Sequence, residues 1–187
     1  MRRSLDLVYR LSGALAAMFL AGICLLVVLQ VGANIADTIF RQLSGEPLGL
    51  LVPSYAEFTG FFLVGATFFA LAYALRAGTH IRVTLVIRGL GPRTRRWVEI
   101  WCTASGAALA VYFTGFSIDM VLDSIAFNDV SPGIVALPIW IPQSSMALGL
   151  IVFSIALIDE LIAVISGRTP AYAQGDIGEL SRTDRQD

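Results

Sequence analysis

The chain has 187 residues, 56% of them hydrophobic and 14% charged, with a mean hydropathy of +0.75. An apolar share above the soluble globular range and a charge below it exclude a disordered protein and argue against a soluble domain. Thirteen basic residues, every one an arginine, face fourteen acids, and the net charge of −1 leaves no positive surplus for wrapping nucleic acid. The two cysteines, Cys24 and Cys102, sit inside apolar runs and read as small hydrophobes, so neither a disulfide framework nor a zinc site is expected.

A hydrocarbon layer of ~30 Å takes about 20 residues at the 1.5 Å rise of an α-helix. Four runs are long enough: 11–36, 55–75, 97–122 and 138–165. The first carries no charged side chain, and the second carries one acid, Glu57, close to its start. Each is predicted helical, because a strand or loop in lipid leaves backbone N–H and C=O groups unpaired. The fold class is therefore an all-α integral membrane protein, with four transmembrane helices in one domain over 1–167. The opening Met-Arg-Arg-Ser resembles a twin-arginine secretion signal, but the apolar run exceeds a signal's ~7–15 residues, and no small-x-small cleavage site followed by a soluble domain appears. Span one is expected to stay.

Arginines concentrate at alternate ends of the spans. The first ten residues hold Arg2, Arg3 and Arg10 against Asp6, and the loop after span one holds Arg41 against Asp37 and Glu46. Between spans two and three lie Arg76, Arg82, Arg88, Arg93, Arg95 and Arg96 with no acid, whereas Asp119, Asp123 and Asp129 flank the next turn with no base. Loops rich in arginine are retained in the cytoplasm, so both termini are predicted inside. The aromatic belts agree, with Tyr73, Trp97 and Trp101 at the inner interface and Tyr55, Phe127 and Trp140 at the outer one.

Both outer loops have turn chemistry: Ser44, Gly45, Glu46, Pro47 and Gly49 in one, Asn128, Asp129, Ser131, Pro132 and Gly133 in the other. The inner stretch 81–90 mixes six aliphatic residues with Arg82 and Arg88 and is too short to span. It reads either as an amphipathic segment lying in the interface, its arginines on lipid phosphate, or as a connector packed on the helices. The tail 168–187, mixing Pro170, Gly175 and Gly178 with four acids and three arginines, is expected to be polar, cytoplasmic and disordered.

Small residues recur at four-residue spacing, Gly13, Ala17 and Ala21 on span one and Ala66, Ala70 and Ala74 on span two, which marks them as helix-packing candidates. His80 is the only histidine and lies beyond a span, which disfavours haem. No cluster has metal spacing, and no nucleophile has an activating base, so neither a cofactor nor enzymatic activity is expected. Glu57 is read as solvated or in polar contact with another helix. Asp119 and Asp123 share a helix face, as a solvated end or as a dock for a basic partner. Asp159 and Glu160 are expected to pair with Arg76, Arg168 or other inner bases, with a proton relay as the alternative.

The stretch from Phe61 to Arg96 contains Phe-Phe-Leu-Val-Gly-Ala-Thr, then Ala-Tyr-Ala-Leu-Arg-Ala-Gly-Thr-His-Ile-Arg-Val, then Arg-Thr-Arg-Arg. This resembles the small, DctQ-like membrane subunit of tripartite ATP-independent periplasmic (TRAP) transporters, in which span two ends in Arg-x-Gly-x-His-Ile-x-Val-Asp. Arg76, Gly78, His80, Ile81 and Val83 match, while Thr84 stands where the family usually has the acid. The resemblance extends over all four spans, and Leu137-Pro-Ile-Trp-Ile-Pro opens the last one much as in the family. It implies a bacterial inner-membrane, sodium-coupled importer of organic anions. There a large DctM-like subunit transports, a periplasmic solute-binding protein delivers, and the small subunit is a scaffold. On that reading Arg76, Gly78, His80, Arg82 and Arg88 face lipid phosphate and the large subunit, and Asp37, Glu46, Asp119, Asp123 and Asp129 help dock the binding protein. Two other classes remain: an autonomous homodimeric four-span exporter driven by protons on Glu57 or Asp159, and an inert anchor of a respiratory complex.

Overall fold

The computed structural model describes residues 2–46, 49–50, 53–77 and 91–167. They form four helices, α1 (Arg2–Ser44), α2 (Tyr55–Arg76), α3 (Pro92–Phe127) and α4 (Trp140–Ile165). All four are long and apolar enough to cross a membrane. Among the described residues no strand forms, and a single isolated bridge joins Val130 to Pro138. The expected interfacial segment 81–90 and the tail 168–187 lie outside the described residues.

The observed α1 and α3 are longer than the apolar runs. At 1.5 Å per residue, the 43 residues of α1 reach ~64 Å and the 36 of α3 ~54 Å, well beyond the hydrocarbon thickness. Apolarity marks only the stretch that lipid solvates, and the helix continues until backbone chemistry stops it. For α1 that stop is Gly45, whose φ of +79° only glycine adopts without strain. For α3 it is Asn128 in the left-handed conformation, a side chain that tolerates it. The start of α3 follows Gly91, with Pro92 in the first turn, where its missing N–H costs nothing.

The helices stand in a row rather than a square. α1 packs on α2, α2 on α4 and α4 on α3, with a small contact between α1 and α4. The two central helices are therefore covered on both flanks, and the outer two on one.

Each flanking helix lays down a stripe at alternating three- and four-residue steps, the period of a left-handed helix pair. On α1 the stripe is Tyr9, Ser12, Ala16, Phe19, Ile23, Leu26, Gln30, Ala33 and Asp37, all buried or half-buried. Aromatic rings and glycines alternate across the α1–α2 seam. A Cβ at Gly13 would stand 2.8 Å from the Tyr73 ring, one at Gly65 2.8 Å from Phe19, and one at Gly22 2.9 Å from Phe62. The Ser12 hydroxyl crosses the seam and donates to the Phe69 carbonyl at 2.5 Å.

The seam of α3 on α4 is built from small and hydroxyl side chains, Thr103, Ala107, Ala110, Thr114, Ser117 and Ser124. Thr114 and Ser154 hydrogen-bond across it at 3.0 Å. Between α2 and α4 the backbones themselves meet, since a Cβ on Gly149 would lie 2.6 Å from the Phe68 carbonyl carbon. Lipid provides no hydrophobic expulsion to hold helices together, so close approach and interhelical hydrogen bonds supply the cohesion.

Candidate functional site

At the arginine-rich end, three helices converge on one guanidinium. Arg76, the last residue of α2, donates from Nη2 to Asp6 of α1, and from Nη1 to Asp159 Oδ2 of α4 at 3.2 Å. A longer contact of 3.5 Å reaches Glu160 Oε1. The guanidinium also lies 5.0 Å over the ring of Tyr9, one turn along α1 from Asp6. The fork of the guanidinium offers two nitrogens on different edges, and this lets one side chain bind acids from two helices at once.

Burial grades these contacts. The Asp6 side chain is 47% exposed and that of Asp159 30%, whereas Glu160 is 1% exposed. Glu160 is therefore the partner whose charge most needs compensation. Tyr9, Ala72 and Ala156 form a small apolar core directly behind the cluster, supported by Leu5, Leu75 and Val152. At the same end Arg96 of α3 donates to the Ile165 carbonyl at 2.8 Å, capping the C-terminus of α4 with a positive charge. Arginines thus join all four helices at this end, and none of these contacts lies midway through a span.

The opposite, acidic end is closed by backbone. In the turn between α3 and α4, Ser131 N–H donates to the Leu137 carbonyl at 2.8 Å and Ile139 N–H to the Asp129 carbonyl at 3.1 Å. Val135 N–H donates to the Ser54 hydroxyl at 3.0 Å, which fastens this turn onto the start of α2. Gly133 lies against the Glu57 carboxylate so closely that a Cβ there would overlap it. Glu57 Oε2 is buried without a hydrogen-bond partner among the described residues. Asp37 Oδ1 accepts from Gly49 N–H at 2.8 Å and ties the first connection back to α1.

A family model described as the tripartite ATP-independent periplasmic transporters, DctQ component, matches residues 23–167. The chain belongs to this family. No curated protein and no solved structure matches it. As a DctQ component it is the small permease part of a TRAP transporter, a bacterial inner-membrane protein and not an enzyme. Among the described residues no group of His, Cys, Asp and Glu side chains is arranged to hold a metal ion.

The expected residues of this DctQ subunit fall into three groups. Arg76 is held inside the chain by acids of two other helices, while Gly78, His80, Arg82 and Arg88, with Thr84, lie outside the described residues. Of the packing candidates, Gly13 and Ala66 lie in helix contacts, Ala70 and Ala74 are half-buried, and Ala17 and Ala21 are exposed. Of the acids, Asp37 is engaged with Gly49, whereas Glu46, Asp119, Asp123 and Asp129 are exposed. Sequence reading matched Asp159 and Glu160 with Arg76 but missed Asp6 and Tyr9. Their signal was weak, an acid and an aromatic in the first turns of a helix whose partner is 70 residues away from Asp6.

Proposed function

We propose that this DctQ subunit is a fixed scaffold in a sodium-coupled importer of organic anions, anchoring a large transport subunit and helping to dock a periplasmic solute-binding protein. The observation that carries the scaffold role is the arrangement of charge in a row of helices. The ionic contacts sit at the ends, the seams between are filled by small and aromatic side chains, and Asp159 is committed to Arg76. An anion crossing lipid needs compensating charge or water along its way, and a rigid partner needs neither. Sodium coupling and the class of solute are carried over from the family resemblance.

Both termini are cytoplasmic in this reading, with the arginine-rich end inside. His80, Arg82 and Arg88 contact lipid phosphate and the large subunit there. Glu46, Asp119, Asp123 and Asp129 then face the periplasm, where exposed carboxylates steer a basic patch on the binding protein. Replacing Asp119, Asp123 and Asp129 by asparagine is expected to weaken capture of the solute-loaded binding protein and to flatten its salt dependence. Unchanged, salt-sensitive binding in that variant contradicts the docking role.

The test of the whole reading is uptake of radiolabelled organic acids by cells that hold all three components. Uptake is expected to require this chain and to collapse when a sodium ionophore removes the gradient. Full uptake without the chain contradicts the scaffold role, and uptake indifferent to sodium contradicts the coupling.

A further inference from the structure

The apolar runs do not lie level in the row. Gly22 of α1 meets Phe62 of α2, Phe68 of α2 meets Gly149 of α4, and Ser154 of α4 bonds Thr114 of α3. Counted from those contacts, the middle of the run on α1, at Cys24, lies about five residues nearer the acidic end than the middle of the run on α2, at Gly65. The middle of the run on α4, at Val152, lies about six residues nearer the arginine-rich end than Gly65, and that on α3, at Ala110, about six further still. Each step is about 8–9 Å of helix, close to the ~8–10 Å that separates packed helix axes. The apolar band therefore runs diagonally across the row.

A band that drops about as far as it advances lies parallel to a bilayer only if the helices lean by about 40–45° in the plane of the row. At that angle the run 11–36 of α1, ~39 Å long, crosses about 29 Å, which is the hydrocarbon thickness. The aromatic belt at the arginine-rich end gives a second measure. Trp97 and Trp101 of α3 lie about 20–26 Å further along the helix axes than Tyr73 of α2, and all three rings are exposed. Upright axes would leave both indoles in water, far beyond Tyr73. The lean brings the three rings within about 7 Å of one depth, as a single interfacial belt requires.

Two exposed residues at opposite corners of the row make the difference measurable, Val31 on α1 and Cys102 on α3. The path between their levels, taken through the three contacts, covers about 32 residues or ~48 Å of helix, more than an upright row could place in ~30 Å of hydrocarbon. The lean reduces their difference in depth to about 18 Å. We propose that the row crosses the membrane obliquely, its axes about 40–45° from the normal, so that lipid covers Val31 on the acidic side and Cys102 on the arginine-rich side. The bilayer is the partner this diagonal band fits, because the plane and thickness of the band are those of a hydrocarbon layer. Helix packing and interfacial anchors set such a tilt. Here the close approaches at Gly22 and Gly149 fix the stagger, and Trp97 and Trp101 anchor its lower corner. The inference rests on the four spans and their register, and not on the scaffold role.

The test uses spin labels on the full chain, reconstituted with its large permease subunit in vesicles of phosphatidylethanolamine and phosphatidylglycerol. Cys24→Ala leaves the native Cys102 as one probe, and Val31→Cys in a chain with both cysteines replaced by alanine is the other. Oxygen concentrates in lipid and a nickel chelate in water, so their collisions with a label report what surrounds it. Both labels are expected to meet oxygen severalfold more often than nickel. A label at either position that meets mainly nickel stands in water and overturns the lean. A label shielded from both reagents is covered by protein and overturns the lipid contact. Polarised infrared dichroism of the unsubstituted chain in aligned bilayers of the same lipids is the second arm. A mean helix tilt of about 40–45° is expected, and one below about 25° overturns the proposal.

Discussion

Replacing Arg76 by glutamine removes a cation that, among the described residues, bridges Asp6, Asp159 and Glu160. Taking one partner from a fully buried ion pair costs about 3–5 kcal/mol, whereas exposed pairs are worth about 0–1 kcal/mol. Asp6 and Asp159 are open enough for water to screen them, so the loss is dominated by Glu160, 1% exposed and left without that compensating charge. We expect a destabilisation of about 2–4 kcal/mol, between those limits. For a protein of this length that corresponds to a Tm lowered by about 4–16 °C. The assay is thermal unfolding of the purified chain in detergent micelles, repeated on Glu160→Gln and on the double variant. If the loss of the Arg76 charge beside the buried carboxylate is the cause, adding Glu160→Gln to Arg76→Gln recovers more than half of the loss. A single variant that melts within about 2 °C of the parent, or a double variant no better than Arg76→Gln, refutes this reasoning.

Among the described residues the buried Tyr9 hydroxyl has no hydrogen-bond partner, so Tyr9→Phe is expected to stabilise by about 1 kcal/mol in the same melts. A clear loss instead means that the hydroxyl is bonded. Gly149→Val drives a side chain into the α2 backbone at Phe68 and should cost at least about 1–3 kcal/mol, while Gly32→Val, which meets nothing within 4 Å, should leave the melting curve in place. Equal effects at the two glycines contradict the close approach of α2 and α4. Gly133→Ala overlaps the Glu57 carboxylate and is expected to destabilise by about 1–3 kcal/mol, with Glu57→Ala restoring the parent Tm in the double variant. Failure of that rescue shows that the turn does not lie on Glu57.

The four spans were legible because hydrocarbon thickness imposes a length and an apolarity that few other folds share. The ends of α1 and α3 were not, since a helix leaving lipid continues into water until a residue such as Gly45 or Asn128 breaks it. Spatial order was also hidden. Every face of these helices is apolar, so periodicity cannot say which face meets a neighbour, and the 1-2-4-3 row came only from the structure. The small-residue pattern on span one shows the difficulty. Steps of four residues rotate by 40° each, so Gly13 points at Tyr73 while Ala21, 80° further round, has left the seam. Only alternating steps of three and four hold to it. At the arginine-rich end, the pairing of Asp159 and Glu160 with Arg76 was readable as opposite charges at one membrane depth. The part of Asp6 was not, because another acid already satisfied that expectation.

The central claim is that this chain holds a transporter together without itself conducting solute. Vesicles containing the chain alone, the large subunit alone, or both with the binding protein separate these roles in one uptake measurement under a sodium gradient. Accumulation is expected only when both membrane subunits are present with the binding protein, and the chain alone should match protein-free vesicles under either a sodium or a proton gradient. Gradient-driven accumulation by the chain alone contradicts the account.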